Sequence, residues 1–224
     1  MSHIENSRTA LILAGGWEGH QPEACAAMLR TELSKRGFEV VVKTDLGVLD
    51  DGASLQQHAV IIPLWTMGAL SDAQEANLTA AIRSGVGLAG FHGGMGDAFR
   101  GRVEYQWMVG GIFAAHPDNI IPYRVEIVKP HDPVVAGIDD FDVQTEQYYM
   151  LVDPAVEVLA QTTFGARESA PWVEGSIMPV AWKKRHGAGR VFYLALGHHA
   201  EDFVNVPQQL EILLRGIGWA ARLA

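Results

Sequence analysis

Histidine carries most of the chemistry this chain has on offer. Of its nine histidines, three sit in Gly-rich turns that close apolar runs: Gly15-Gly16-Trp17-Glu18-Gly19-His20, Gly90-Phe91-His92-Gly93-Gly94 and Leu196-Gly197-His198-His199. A neutral imidazole can accept a proton or bind a metal ion through its free ring nitrogen, and an imidazolium can return a proton. The middle motif has the shape of a nucleophile elbow, in which glycines permit a tight strand-to-helix turn that presents the central side chain. An imidazole there in place of a Ser or Cys disfavours serine or cysteine hydrolase chemistry and leaves acid/base work or metal ligation. His116, before Pro117, stays open between site and loop. His131, in His131-Asp132-Pro133, is accounted for by turn formation, and His3, His58 and His186 are expected at the surface.

The elements that must position these rings read as alternating strands and helices. Thr9 to Ala14 is a short, continuous apolar run, as expected of a strand buried on both faces of a parallel sheet. Pro22 opens a helix with Cys25, Leu29 and Leu33 at four-residue spacing, and Gly37 ends it. Strands follow at Phe38–Val42 and Ala59–Leu64. Ser71-Asp72-Ala73-Gln74 is a capping-box pattern that opens a helix carrying Leu78, Ala81 and Ile82 inward and stopping near Gly85. Val86 to Phe91 is the next strand. Alternation of this kind implies an α/β fold, an open parallel sheet covered by helices on both faces. From about residue 120 the pattern changes to the period-two alternation of Tyr123 to Val128. Pro179–Lys183 and Arg190–Leu196 form a hairpin around His186-Gly187-Ala188-Gly189, so the sheet gains an antiparallel, β-rich addition. A closing helix follows Pro207, with Leu210, Leu213, Leu214 and Ile217 on one stripe. No linker or repeat interrupts the chain, and residues 1–224 read as one domain.

In an open α/β sheet, ligands gather beyond the carboxyl ends of the strands, near the topological switch point. The loops carrying His20, His92 and His198 open on that edge, which predicts that the three rings converge.

Composition narrows the partners. Lys and Arg number 17 against 26 Asp and Glu, a formal charge of −9, so the long-range field repels nucleic acid and anionic lipid surfaces. The one basic run, Lys183-Lys184-Arg185-His186, is expected to be a solvated hairpin tip. The lone Cys25 excludes an internal disulfide framework and a Cys-based zinc site, and cysteine usage fits the cytoplasm. No signal segment and no membrane span are read.

The ordered motifs resemble the ThuA-like (trehalose-utilisation) family, a branch of the class I glutamine-amidotransferase-like fold. The resemblance covers nearly the whole chain. It is carried by the Gly-Gly loop with His20, residues 90–94, Gly110-Gly111-Ile112-Phe113 leading to His116-Pro117, His131-Asp132-Pro133-Val134 with Gly137-Ile138, Glu146 and Tyr148, Gly189-Arg190-Val191-Phe192-Tyr193 with Leu196-Gly197-His198, and Gly218-Trp219-Ala220. It implies a flavodoxin-like sheet, with His92 where amidotransferases carry their nucleophilic Cys and His198 where they carry the triad His, and hence no glutaminase activity. It also implies a role in using trehalose or related disaccharides, alongside oxidoreductases that make 3-keto sugars. Relatives commonly show Asp-Glu before the Tyr, whereas this chain has Thr145-Glu146-Gln147-Tyr148, so one carboxylate stands where a pair is usual.

The resemblance implies an enzyme acting on a sugar or keto-sugar as a lyase, hydrolase or isomerase. Its expected catalytic residues are His92, His198 and Glu146, and its expected substrate-binding residues are Trp17, His20, Gly93, Trp107, His116 and Tyr148. One version uses bare acid/base histidines. A second adds a divalent metal, zinc or similar, held by His20, His92 and His198, with His116 a further candidate and Glu146 and water completing the set. No nucleotide cofactor is expected, and a homo-oligomer is compatible with the size. The alternative is a non-catalytic sugar-binding or regulatory protein on a degenerate amidotransferase fold.

Overall fold

The computed structural model describes residues 8–223 and begins with the expected alternation: β1 (Thr9–Gly16), α1 (Pro22–Lys35), β2 (Glu39–Lys43), α2 (Gly52–Leu55), β3 (Val60–Thr66), α3 (Asp72–Ser84), β4 (Gly87–Phe91) and α4 (His92–Gly96). β1 lies between two strands, with Leu11 opposite both Val41 and Ile61. Its apolar side chains alternate between two cores: Ala10 and Ile12 join one, Leu11 and Leu13 the other. A strand covered on both faces needs no polar positions, which explains the unbroken apolar run. The α3 start is chemically explicit. The Ser71 hydroxyl accepts from the Gln74 backbone N–H, and the Gln74 side chain accepts from the Ser71 N–H. Gly85, at φ +128°, ends the helix.

The remainder comprises α5 (Val103–Val109), β5 (Gly111–Ala115), β6 (Ile120–Ile127), β7 (Phe141–Glu146), β8 (Tyr149–Val152), β9 (Glu157–Thr163), β10 (Ile177–His186), β11 (Gly189–Leu194), α6 (Asp202–Asn205) and α7 (Pro207–Ala220). Nine strands form one sheet in the order β2-β1-β3-β4-β11-β10-β9-β6-β7, and β5 pairs with β8 separately. The first five are mutually parallel and the rest pair antiparallel. The parallel half has the flavodoxin-like order, with its switch point between β1 and β3. α1 and α7 supply Leu29, Leu33, Leu213 and Ile217 to one core; α3 and α5 supply Leu78, Ile82, Tyr105 and Met108 to the other. No described helix is long and apolar enough to cross a membrane.

The sequence pattern anticipates the parallel half and the β10–β11 hairpin, whose first strand extends from 177 to 186. It does not reveal β5, β7, β8, β9 or α5. Two surface assignments are corrected. His58 and His186 are buried, the first facing the Leu55 carbonyl and the second accepting from Arg83 Nε. His3 lies outside the described residues. The solvated tip at 183–186 is also corrected: the turn is Gly187-Ala188, and only Arg185 of the basic run is exposed. Because β10 continues to His186, successive lysines fall on opposite covered faces. Lys183 pairs with Asp132 and lies over the Trp219 ring, while Lys184 pairs with Asp153 at 2.5 Å and donates to the Trp107 carbonyl.

A buried ammonium that loses its carboxylate is far more costly than an exposed one. Asp153→Ala should therefore lower stability by about 3 kcal/mol in urea unfolding, against under about 0.5 kcal/mol for an exposed surface site. A change of the smaller size would show that Lys184 reaches solvent.

Candidate active site

β1, β3, β4 and β11 end at Gly16, Thr66, Phe91 and Leu194 on one edge of the sheet, and the loops leaving them deliver the histidines there. His92 is the first residue of α4 and holds φ +46°. This left-handed backbone is uncommon for a residue with a side chain, and the local packing must hold it. Tyr193 contributes by donating from its hydroxyl to the His92 carbonyl at 3.0 Å. His198 follows Gly197, at φ +93°, where a Cβ would lie 2.3 Å from the Phe203 ring. His20 ends the short turn after β1, and its Nδ1 meets the Thr66 hydroxyl at 2.7 Å.

Glu146 arrives from the other half of the molecule. It ends β7, five places from β4 in the strand order, yet its Oε2 lies 3.1 Å from His92 Nε2 and 3.3 Å from His198 Nδ1. The antiparallel half thus curls back over the parallel strand ends. His92 Nε2 and His198 Nδ1 are 3.2 Å apart. Together with His20, each residue offers one donor atom, and all four lie within 4.8 Å of one another. Tyr123 steadies this arm by donating to the Glu146 carbonyl at 3.1 Å.

The protonation states follow from burial and proximity. His92 is fully enclosed, and burial depresses its basicity against the opposing pull of Glu146 and the Ala195 carbonyl. His20 is pushed down to about 3 by burial, reinforced by His92 and His198. Burial alone would raise the Glu146 carboxyl, but its contacts with His198 and His92 outweigh that and hold it below the usual carboxylate range. The site is therefore a carboxylate facing imidazole nitrogens, with His20 and His92 held neutral by burial, an arrangement suited to polarising an oxygen, exchanging a proton, or holding a cation.

The neighbouring residues divide. The Tyr148 ring stacks on His92 with centroids 4.1 Å apart, and burial keeps its phenol protonated. Trp17 packs edge-on against His20 and remains 47% exposed. His116 Nε2 lies 3.7 Å from Glu146 Oε1, while its Nδ1 is buried without a partner among the described residues. Gly93 is buried beside the cluster, and a Cβ there would sit 2.4 Å from His20 Cε1, so its bare backbone leaves room for that ring. Trp107 is not brought to this edge. It is 56% exposed and lies beside Lys184 and His186, at the opposite edge of the sheet, because α5 turns Tyr105, Met108 and Val109 inward and leaves Trp107 outside. Thr66 and the Ala195 carbonyl, which fix the rings of His20 and His92, were not read from the sequence. A polar Thr closing the apolar β3 run was the available signal for the first; a backbone carbonyl leaves none.

Cys25 lies next to this edge, its thiol 3.5 Å from the His20 carbonyl, and burial pushes it up to about 12. Since only the thiolate reacts, at pH 8 the native thiol should be ionised in roughly one molecule in ten thousand. Labelling by an aromatic disulfide reagent should then be at least about a hundredfold slower in the native than in the unfolded protein. Equal rates would contradict the enclosure of Cys25.

Comparison with known proteins gives the family and the fold. The family model for trehalose utilisation, ThuA, matches residues 9–220. A ThuA-like protein from Bacteroides uniformis superposes with a TM-score of 0.78 at 22% identity, covering 96% of this chain and 91% of that one. A second, from Parabacteroides merdae, gives 0.75 at 17% identity with coverage of 96% and 90%. A β-galactosidase from Bacillus circulans shares the fold at a TM-score of 0.56 and 14% identity, over 93% of this chain but 30% of the galactosidase. No curated protein matches the sequence significantly.

Proposed function

The chain belongs to the ThuA trehalose-utilisation family, and from that membership and the geometry of the strand-end site we propose that it is an enzyme acting on a disaccharide or its 3-keto derivative. The observation that carries this reading is the convergence of His20, His92, Glu146 and His198 from four separate segments of the chain, on an elbow held at a strained φ. Sugar recognition alone is served by hydroxyl partners and aromatic faces; it gives no reason to bury a carboxylate against imidazoles.

The reaction fits a step at a sugar carbonyl or glycosidic carbon–oxygen bond. With imidazole at the elbow, the position where amidotransferases carry their nucleophile offers neither thiol nor hydroxyl, so glutaminase activity is not expected. His92, Glu146 and His198 form the reacting centre, with Tyr148 stacked on His92, His116 beside Glu146 and Trp17 against His20. The exposed indole of Trp17 suits the apolar face of a pyranose ring. Catalysis in the cytoplasm and assembly as a homo-oligomer accord with this reading.

The test is turnover of trehalose and of its 3-keto form by the purified protein, followed by chromatography of the products. Wild type should convert at least one of them. His92→Ala and Glu146→Gln should lower kcat/KM by roughly a hundredfold or more, and Cys25→Ser should leave it unchanged. If wild type binds the sugars without converting either, and His92→Ala binds them equally well, the protein is a sugar-binding member on a degenerate amidotransferase fold.

A further inference from the structure

The hydrogen bonds of the site determine which ring nitrogens face one another. His92 Nδ1 faces the Ala195 carbonyl at 3.0 Å. A carbonyl only accepts, so Nδ1 donates to it, and Nε2 is the ring atom left to face Glu146 Oε2, 3.1 Å away, and His198 Nδ1, 3.2 Å away. In His20, Nδ1 is engaged by Thr66, leaving Nε2 as its open donor atom.

The spacing agrees. Two ligand atoms bound tetrahedrally at about 2.0–2.1 Å from one ion lie about 3.3 Å apart. His92 Nε2, His198 Nδ1 and Glu146 Oε2 define a triangle with sides of 3.1, 3.2 and 3.3 Å, and His20 lies within 4.8 Å of the others. Larger oxygen-seeking ions such as calcium take six to eight oxygen ligands at longer distances, and magnesium prefers oxygen; three imidazoles and one carboxylate suit a first-row divalent ion.

We propose that His20, His92, Glu146 and His198 form a binding site for one first-row divalent cation of the zinc type, with Thr66 and the Ala195 carbonyl orienting the His20 and His92 rings as outer partners. This deepens the proposed function and rests on it only for the use made of the ion. When bound, such an ion supplies Lewis-acid polarisation of a substrate oxygen. His92 and His198 then serve as ligands rather than proton carriers. Glu146 Oε1, on the His116 side, and the Tyr148 ring against His92 lie beside the ligand set, where a substrate would approach. Outer partners of this kind fix ring orientation and tautomer, and losing one typically weakens metal binding roughly ten- to a hundredfold.

The experiment is calorimetric titration of chelator-stripped protein with zinc, and with magnesium as the control, alongside the shift in thermal midpoint that each produces. Wild type should take up one equivalent of zinc and no magnesium, with a zinc-dependent rise in Tm. His92→Ala and Glu146→Gln should lose at least a hundredfold in zinc affinity, and Thr66→Val roughly tenfold or more, with each stripped variant melting cooperatively. Absence of saturable zinc binding in wild type, or affinity unchanged in both His92→Ala and Glu146→Gln, overturns the site. Unchanged affinity in Thr66→Val overturns the outer role of Thr66. One equivalent of zinc without turnover of any sugar would remove the proposed reaction and leave the metal site standing. Sugar turnover by stripped protein that takes up no metal would do the reverse.

Discussion

A carboxylate enclosed against imidazole nitrogens needs positive charge or protons between them, because buried polar groups without partners are costly. Glu146 Oε2 and His92 Nε2 are in that position, 3.1 Å apart, with the His92 proton committed to the Ala195 carbonyl. The elbow at His92 fixes one partner, and the end of β7 fixes the other. The proposed cation would satisfy these four side chains together, and the negative net charge of the chain would favour its approach.

The fold supplies this contact through its two halves. The parallel half places His20, His92 and His198 by the general tendency of open α/β sheets to gather loops beyond their strand ends. The antiparallel half returns Glu146 and Tyr148 to the same edge, and the hydroxyls of Tyr123 and Tyr193 tie each half to the backbone at the site. Close packing beneath it is equally specific. Gly93 leaves room for His20, and Gly197 leaves room for Phe203.

How much of this was legible in the sequence depended on whether the signal was local. The β1, β3 and β4 runs are apolar because both faces are covered, and the capping box at Ser71 is a four-residue pattern, so both could be read directly. The convergence of His20, His92 and His198 followed from where such strands end. β7 alternates Phe141, Val143 and Thr145 inward with Asp142 and Gln144 outward, a short period-two signal that was available but not read, whereas β9 is mixed in polarity without a clear period. Trp107 illustrates the opposite difficulty: an aromatic residue near a promising motif fell on the outer face of α5, where helix phase decides its position. The lysines of 183–184 misled because charge suggests exposure, whereas Asp132 and Asp153 meet them from segments distant in sequence. Glu146 was marked by family resemblance, and its contact with His92 depends on a curl of the sheet that no local pattern records.

The central claim is that these four side chains share one ion, and the most direct test is anomalous diffraction at the zinc edge from crystals of the wild-type protein grown with zinc. The account predicts a single strong anomalous peak bounded by His20, His92, Glu146 and His198. Anomalous peaks confined to the surface, with an empty space between these side chains, would contradict it.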